Sequence, residues 1–168
     1  MFARITTPRL LSRLPALRIA HPLRQLIASS HLHHHQPIRT MSDIQKIFSA
    51  KACPPAGPYT QAVQVGQHIF VSGQIPADAQ GNLIDGSIAQ KTEACCNNVI
   101  AILEEAGSDI SRVFKTTVFL DDMANFGEMN GVYEKFFAHK PARSCVAVKQ
   151  LPKGVPVEIE CIALAGKA

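Results

Sequence analysis

The sequence predicts an α+β domain, with one mixed sheet of five to six strands and two helices packed on one face. Runs rich in β-branched and aromatic residues predict the strands, and two segments with apolar residues at helical spacing predict the helices. These segments follow one another as two or three strands, a helix, a strand, a helix and two strands. That order is typical of helices covering one side of a sheet.

Strands and an ordered loop are predicted before the first helix. The Pro-rich stretch at residues 53–58 excludes helix and predicts an ordered loop, the kind of segment on which chemistry often sits. Gly66 and Gln67 separate two β-rich runs and predict a tight hairpin between them. The segments assigned in this part are a short apolar segment at 47–50 and strands at 62–65 and 68–72.

Two amphipathic helices and the strand between them form the middle of the domain. The first helix begins after Ser87 and ends before Gly107, with apolar residues on one face as far as Leu103. Residues 113–120 are strongly β-branched and aromatic, which predicts a strand. Helical spacing returns over residues 123–138 and predicts the second helix.

The last two predicted strands lie at residues 145–148 and 157–164. Two helices cover only one face of such a sheet, so the other face is either in contact with water or buried by a neighbouring subunit. We expect that face to carry Thr116, Val118 and Leu120 or their alternates. Because these side chains are apolar enough to favour burial, oligomerisation would cover them.

Residues 1–40 differ in composition from the rest of the chain. They contain six arginines, no lysine and no acidic residue, which is the pattern of a mitochondrial presequence. The remaining 11 of the 17 lysines and arginines stand against all 13 acidic residues, so residues 41–168 carry a charge of about −2. We expect a leader at 1–40, cleaved or disordered, and one domain at 41–168 in the mitochondrial matrix.

Two alternatives to a cleaved leader stay open. A start at Met41 would give a leaderless, cytoplasmic form of the protein. The basic segment could instead serve as a disordered tail that binds acidic surfaces.

The sequence contains none of the common cofactor or metal motifs. It lacks a G-x-x-x-x-G-K-[ST] loop, a G-x-G-x-x-G fingerprint, a G-x-S-x-G elbow and an H-E-x-x-H helix. Four histidines at residues 31–35 have no cysteine or carboxylate nearby to complete a metal site. No stretch approaches the roughly 20 apolar residues of a membrane span. We therefore expect no cofactor, metal or membrane partner, and the slightly acidic domain disfavours a nucleic-acid partner.

Four residues are candidates for chemistry on their type and position. Arg143 is one of two arginines in residues 41–168, and its guanidinium suits bidentate binding of a carboxylate, with a surface ion pair as the alternative. Glu158 and Glu160 alternate on the last strand, so both project from one face towards water, an interface or a site. Cys145 has no histidine nearby in sequence, which favours a structural role over a nucleophilic one.

Five short blocks of the chain form a pattern stronger than any one of them. They are Gly57-Pro58-Tyr59, Val71-Ser72-Gly73-Gln74-Ile75-Pro76, Lys115-Thr116-Thr117-Val118-Phe119, Pro141-Ala142-Arg143-Ser144-Cys145-Val146 and Val157-Glu158-Ile159-Glu160. In order and spacing, these blocks resemble the RidA (YjgF/YER057c/UK114) family. The resemblance covers nearly all of residues 46–165.

The resemblance implies a chorismate-mutase-like fold, a homotrimer with three ligand clefts between subunits, and 2-iminobutanoate/2-iminopropanoate deaminase activity. The substrates would be the enamine and imine acids released when pyridoxal-phosphate enzymes dehydrate serine or threonine. By position, Arg143 resembles the residue that binds the substrate carboxylate, and Glu158 resembles the one that positions the attacking water. The other residues that resemble parts of the cleft are Tyr59, Ser72, Asn98 and Cys145.

Two other functions remain open at this point. Members of the family are also described as translation inhibitors with ribonuclease activity. A third alternative is a non-enzymatic module, chaperone-like or binding small acids, that uses the same clefts.

Overall fold

The computed structural model describes residues 44–166 as a six-stranded sheet with two α-helices. The strands are β1 (Ile44–Ile47), β2 (Ala62–Val65), β3 (His68–Gln74), β4 (Val113–Leu120), β5 (Ala142–Ala147) and β6 (Val157–Leu164), and the helices are α1 (Ile88–Glu105) and α2 (Phe126–Phe136). The strand order across the sheet is β1-β2-β3-β6-β4-β5. Only β4 and β5 run parallel, and the other neighbours are antiparallel. The predicted α+β class with a mixed sheet is confirmed.

Local sequence accounts for the ends of α1. The Ser87 hydroxyl accepts a hydrogen bond from the backbone N–H of Gln90, and the Gln90 side chain accepts one from the backbone N–H of Ser87. This reciprocal pair is a capping box, which satisfies two N–H groups at the start of the helix. Gly107 follows the helix with φ +70°, a left-handed conformation that favours glycine at helix ends.

Four elements differ in their bounds from the sequence prediction. Strand β3 continues two residues beyond its predicted end at Ser72. The apolar segment expected at 47–50 overlaps β1 only at Ile47. The second helix is shorter than 123–138, because residues 123–125 form a 3₁₀ turn and the α-helix ends at Phe136. Strand β5 begins three residues earlier than expected, since Ala142 already pairs with β4. The strand differences depend on pairing with distant segments, which local patterns do not report. The turn at 123–125 has a local cause, because the Asp122 side chain accepts a hydrogen bond from the backbone N–H of Ala124.

The helices cover one face of the sheet. Strand register places Thr116 beside both Cys161 and Arg143, so these three residues share that face. Thr116, Val118 and Leu120 are completely buried there, so the alternate residues of β4 face the other side. The large buried side chains between the sheet and the helices include Ile69, Val99, Ile102, Leu103, Met129 and Phe137.

The open face of the sheet combines polar and apolar side chains. From β4 it carries Lys115, Thr117 and Phe119, the alternates of the buried set. Four large apolar side chains on the same face are 36% to 45% exposed. They are Val65, Phe70, Val146 and Leu164. Exposed apolar side chains grouped on one surface are typical of an interface.

The predicted leader at 1–40, the histidines at 31–35 and Met41 lie outside the described residues. Within residues 44–166, no helix is long and apolar enough to cross a membrane. The same part of the chain contains no cluster of histidine, cysteine and acidic side chains that could hold a metal ion.

Candidate active site

Arg143 is held by three side chains of α2. Its Nη1 donates a hydrogen bond to Oδ1 of Asn130 at 2.9 Å. The guanidinium carbon lies 4.5 Å from the centre of the Tyr133 ring and 5.6 Å from that of Phe126. These three α2 residues follow one another at spacings of four and three, so they form one stripe along the helix. Arg143 is therefore fixed by one hydrogen bond and two aromatic rings.

The Nε–Nη2 edge of Arg143 is available to a ligand. Within residues 44–166, Arg143 forms no ion pair, and its hydrogen bond to Asn130 uses only Nη1. A cleft of about 400 Å³ opens beside it, lined also by Glu134, Lys140 and Pro141. The two parallel N–H groups of a guanidinium edge match the two oxygens of a carboxylate. The surface ion pair considered as the alternative is absent from this part of the chain.

Glu158 lies on the open face beside a bulge in β3. The register between β3 and β6 shifts by one residue, so Ser72 and Gly73 together oppose Glu160. A Cβ atom at Gly73 would overlap Oε1 of Glu158. The carboxylate of Glu158 therefore occupies the space that a side chain at position 73 would need.

The surroundings of Glu158 favour its protonated form. Burial raises the pKa of the Glu158 carboxyl above its ordinary value, and the like charge of Glu160 raises it further. A carboxylate with a raised pKa is a better proton acceptor near neutral pH than an exposed one.

Ser72 shares the β3 bulge with Gly73, and it is linked by a hydrogen bond to the loop that carries Tyr59. The Ser72 hydroxyl donates a hydrogen bond of 2.8 Å to the carbonyl oxygen of Thr60, which ties the bulge to the residue that follows Tyr59. Tyr59 is half exposed, and its hydroxyl accepts a hydrogen bond from the backbone N–H of Ala56 at 3.0 Å. We call Glu158, Gly73 and Ser72 the glutamate half-site; the structure gives Tyr59 no contact with Glu158 among the residues it describes.

Cys145 lies on the helix-covered face with Arg143, two residues further along β5. Burial raises the pKa of the Cys145 thiol, and the positive charge of Arg143 offsets part of that shift. Cys145 also packs against the hydrophobic core, and a nucleophilic cysteine needs a lowered pKa, so both observations favour a packing role for this thiol. We call Arg143, Asn130 and Cys145 the arginine half-site.

Asn98 lies in neither half-site. Its side chain is buried, and Oδ1 accepts a hydrogen bond from the backbone N–H of Cys53 at 3.1 Å. Its Nδ2 donates to the carbonyl oxygens of Ile75 and Ala77 at 3.2 and 2.9 Å. Both amide hydrogens are thus in use. This favours a role in holding the Pro-rich loop and the end of β3 against α1, and gives the expected cleft role little support.

Asn130 and Tyr133 were not predicted from the sequence as site residues. Both lie on the predicted second helix, in phase with Phe126, and an asparagine on a partly buried helical stripe is the signal that could have drawn attention to them. The pattern did not show that this stripe meets Arg143, because that contact joins segments distant in sequence.

The sheet separates the two half-sites. On β4, the neighbour of Arg143 is Thr116 and the neighbour of Glu158 is Phe119. Residues three apart on a strand point to opposite faces, so Arg143 and Glu158 do the same. One chain therefore does not present both side chains to one small ligand.

Fold and site together define a small α+β protein whose polar site residues are divided between the two faces of one sheet. The chain belongs to the family described as Endoribonuclease L-PSP, also called YjgF/RidA, whose profile matches residues 49–165. This confirms the family indicated by the five sequence blocks.

Two relatives carry informative names. The chain is 43% identical over 128 residues to the 2-iminobutanoate/2-iminopropanoate deaminase of Mus musculus, an alignment that covers 74% of this chain and 95% of the mouse protein. It is 47% identical over 127 residues to the Saccharomyces cerevisiae protein MMF1, mitochondrial, with 75% of this chain and 88% of the yeast protein covered.

Solved structures match the same part of the chain. The E. coli YjgF gene product superposes with a TM-score of 0.68 at 40% identity, covering 71% of this chain and 98% of the other. E. coli TdcF with bound serine superposes with a TM-score of 0.69 at 38% identity, covering 73% and 99%. The predicted YjgF-like fold is confirmed.

Proposed function

We propose that the protein hydrolyses 2-imino acids, such as 2-iminobutanoate and 2-iminopropanoate, to 2-keto acids and ammonia. The observation that carries the proposal is the guanidinium of Arg143, which is fixed by α2 and keeps its Nε–Nη2 edge free. The name of the mouse relative supports the reaction. The serine bound to TdcF supports a ligand of amino-acid size.

Arg143 binds the substrate carboxylate through two charge-assisted hydrogen bonds and so fixes the position of the imine carbon. Glu158 accepts a proton from a water molecule as the water oxygen bonds to the imine carbon, and it then passes that proton to the imine nitrogen. In the resulting carbinolamine, the hydroxyl proton passes to nitrogen, the C–N bond breaks and the ketone forms. One water is consumed and one ammonia is released.

The proposal includes a homotrimer with three clefts between subunits. Each cleft joins the arginine half-site of one subunit to the glutamate half-site of the next. Two features support this assembly: the two half-sites lie on opposite faces of the sheet, and apolar side chains are exposed on the open face. Light scattering on residues 41–168 is expected to give about three times the monomer mass. A monomer at micromolar concentration would contradict the assembly.

For location, we infer that residues 1–40 direct the protein to the mitochondrial matrix. The arginine-rich, acid-free composition and the mitochondrial yeast relative support this. A reporter fused behind residues 1–45 is expected to enter mitochondria and to be shortened there. A full-length reporter that stays in the cytosol would contradict the inference, and a shorter cytosolic product starting at Met41 would identify a second form.

The reaction is tested by coupling the purified protein to a threonine dehydratase, which generates 2-iminobutanoate. The protein is expected to accelerate loss of the imine absorbance, and Arg143→Ala is expected to abolish the acceleration. Arg112→Ala is the matched control, because Arg112 is the other arginine of residues 41–168 and bonds the carbonyl oxygens of Leu164 and Ala165 instead. Failure of the unaltered protein to accelerate imine loss would refute the proposal.

RNA cleavage is the second candidate function, favoured by the family's description as Endoribonuclease L-PSP. The charge of the domain argues against it, since residues 41–168 contain more acidic than basic residues. Incubation with single-stranded RNA separates the two candidates. RNA cleavage by the unaltered protein that persists in Arg143→Ala and Glu158→Gln, with no imine hydrolysis in any variant, would favour the ribonuclease.

A further inference from the structure

We infer that Tyr133 is a positioning residue for Arg143, and that its ring sets the orientation of the guanidinium that binds the substrate carboxylate. The inference rests on the proposed function, because it concerns the same site. It assigns Tyr133 a role in substrate affinity in addition to its place in the core.

The Tyr133 ring is itself fixed. Tyr133 is 6% exposed, and its hydroxyl lies 2.7 Å from Oγ1 of Thr116, a completely buried residue of β4. The ring also stacks on Phe137, with centres 4.3 Å apart and planes 24° apart. A hydrogen bond and a ring stack therefore hold Tyr133 within the core, so the ring can serve as a rigid support.

Arg143 lies against this support. Its guanidinium carbon is 4.5 Å from the ring centre, within the range of a favourable cation–aromatic contact. A guanidinium stacked on a ring keeps its N–H groups directed sideways, where they remain free to bind. Asn130 engages Nη1 and so fixes the rotation of the group within its plane. The ring and the amide together direct the Nε–Nη2 edge.

The hydroxyl of Tyr133 is not placed to act on the substrate. It is buried and forms a hydrogen bond with Oγ1 of Thr116. Burial raises the pKa of Tyr133, an effect that the hydrogen bond to Thr116 and the charge of Arg143 only partly offset, so the phenol stays protonated at neutral pH. The hydroxyl therefore anchors the ring, and the ring positions Arg143.

Removing the ring tests the inference. In Tyr133→Leu, the KM for 2-iminobutanoate is expected to rise roughly tenfold to thirtyfold with kcat within about threefold, because a looser guanidinium binds ground state and transition state equally less well. Tyr133→Met, whose flexible side chain fills the same space, is expected to behave alike and serves if the leucine variant fails to fold. Tyr133→Phe keeps the ring, so its KM is expected to stay within about threefold of the KM of the unaltered protein.

A stability control separates positioning from general loosening of the fold. Tyr133→Phe leaves a buried Thr116 hydroxyl without its partner, so its unfolding temperature is expected to fall. Ser108→Ala removes a different buried hydroxyl bond, of 2.7 Å to the carbonyl oxygen of Leu164, and is expected to lower the unfolding temperature without changing KM. The inference is supported if KM rises only in the variants that lack the ring, and if KM does not change with the unfolding temperature across the variants.

Two outcomes would overturn it. One is an unchanged KM in both Tyr133→Leu and Tyr133→Met. The other is a fall in kcat together with a rise in KM in all Tyr133 variants, both in proportion to the stability that each variant loses. That pattern would indicate a purely structural residue. Titration of 2-ketobutyrate into Arg143→Ala keeps the two proposals apart. If that variant binds the keto acid normally, the proposed role of Arg143 fails; if it loses binding while the ring variants keep theirs, only the role of Tyr133 fails.

Discussion

Arg143 and Glu158 project from opposite faces of the same sheet, on strands separated by β4. No rotation of either side chain brings the two groups around the sheet. A reaction that uses both groups on one small substrate would have to take them from two chains.

Mixed assemblies are expected to recover activity that neither parent has. If Arg143→Ala and Glu158→Gln subunits are mixed equally at random, about one quarter of the clefts receive an intact arginine from one neighbour and an intact glutamate from the other. The measurement is imine hydrolysis before and after the two variants are unfolded and refolded together. A mixture as inactive as its parents would show that each site lies within one chain.

Arg143→Ala and Glu158→Gln are expected to fail at different steps. Loss of two charge-assisted hydrogen bonds removes about 3 to 6 kcal/mol of binding, so 2-ketobutyrate binding should disappear in Arg143→Ala. Glu158→Gln keeps the shape but not the base, so turnover should fall roughly a hundredfold to ten-thousandfold while keto-acid binding persists. Calorimetry beside turnover measures both. Full turnover in Glu158→Gln would contradict the assigned roles.

Glu160→Gln is expected to move the acidic limb of the activity profile to lower pH. Glu160 raises the pKa of Glu158 by like-charge repulsion, so its removal lowers that pKa and leaves Glu158 ionised at more acidic pH. The pH dependence of kcat/KM measures the shift. Glu104→Gln, an exposed change on α1, is the control that should leave the limb in place. Equal profiles for both variants would exclude coupling between the two glutamates.

Gly73→Ala is expected to lower turnover by displacing the Glu158 carboxylate. The added methyl group would overlap Oε1 of Glu158, and the flexible end of the glutamate side chain is the part that can move. We expect a loss of turnover similar to that predicted for Glu158→Gln, with the fold retained. Gly127→Ala is the matched control, because a Cβ atom there meets nothing within 4 Å. Normal turnover in Gly73→Ala would show that the position of the carboxylate does not matter.

Glu158→Gln is expected to raise stability at neutral pH while it lowers turnover. The pKa of Glu158 is raised in the folded protein, so the folded state binds more protons than the unfolded state between the ordinary and raised values. The free energy of unfolding therefore falls as pH rises through that window, because Glu158 must ionise while partly buried. Glutamine cannot ionise, so it removes this cost. The difference in unfolding temperature between the variant and the unaltered protein, measured at pH 4 and at pH 7, tests this prediction. A variant less stable than the unaltered protein at pH 7 would contradict the assignment of the raised pKa.

The elements that the sequence predicted best are those specified locally. Strand β6 was predicted at its observed bounds, because its side chains alternate between the core and the open face from Val157 to Leu164. Helix α1 was bounded by its cap at Ser87 and the glycine at 107. The start of β5 was missed because Ala142 joins the sheet only through its partner strand.

The candidate residues came from the sequence, but their arrangement did not. Arginine scarcity drew attention to Arg143 and alternation to Glu158 and Glu160, and the family resemblance selected Glu158. The opposite placement of Arg143 and Glu158 follows from strand register, which depends on long-range pairing. Asn98 and Asn130 are both polar residues on amphipathic helices. Which of them meets a loop and which meets the arginine depends on how each helix packs on the sheet.

The division of polar groups between two faces also affects how activity depends on abundance. In the proposed assembly, a lone folded chain would hold half of each of two clefts, so it would be inactive although fully folded. On dilution below the dissociation constant of the assembly, activity per chain should fall while circular dichroism stays unchanged. At low expression, the total rate of imine hydrolysis should then rise more steeply than the number of chains. Modest changes in the rate of protein synthesis would therefore have large effects on the rate of imine removal.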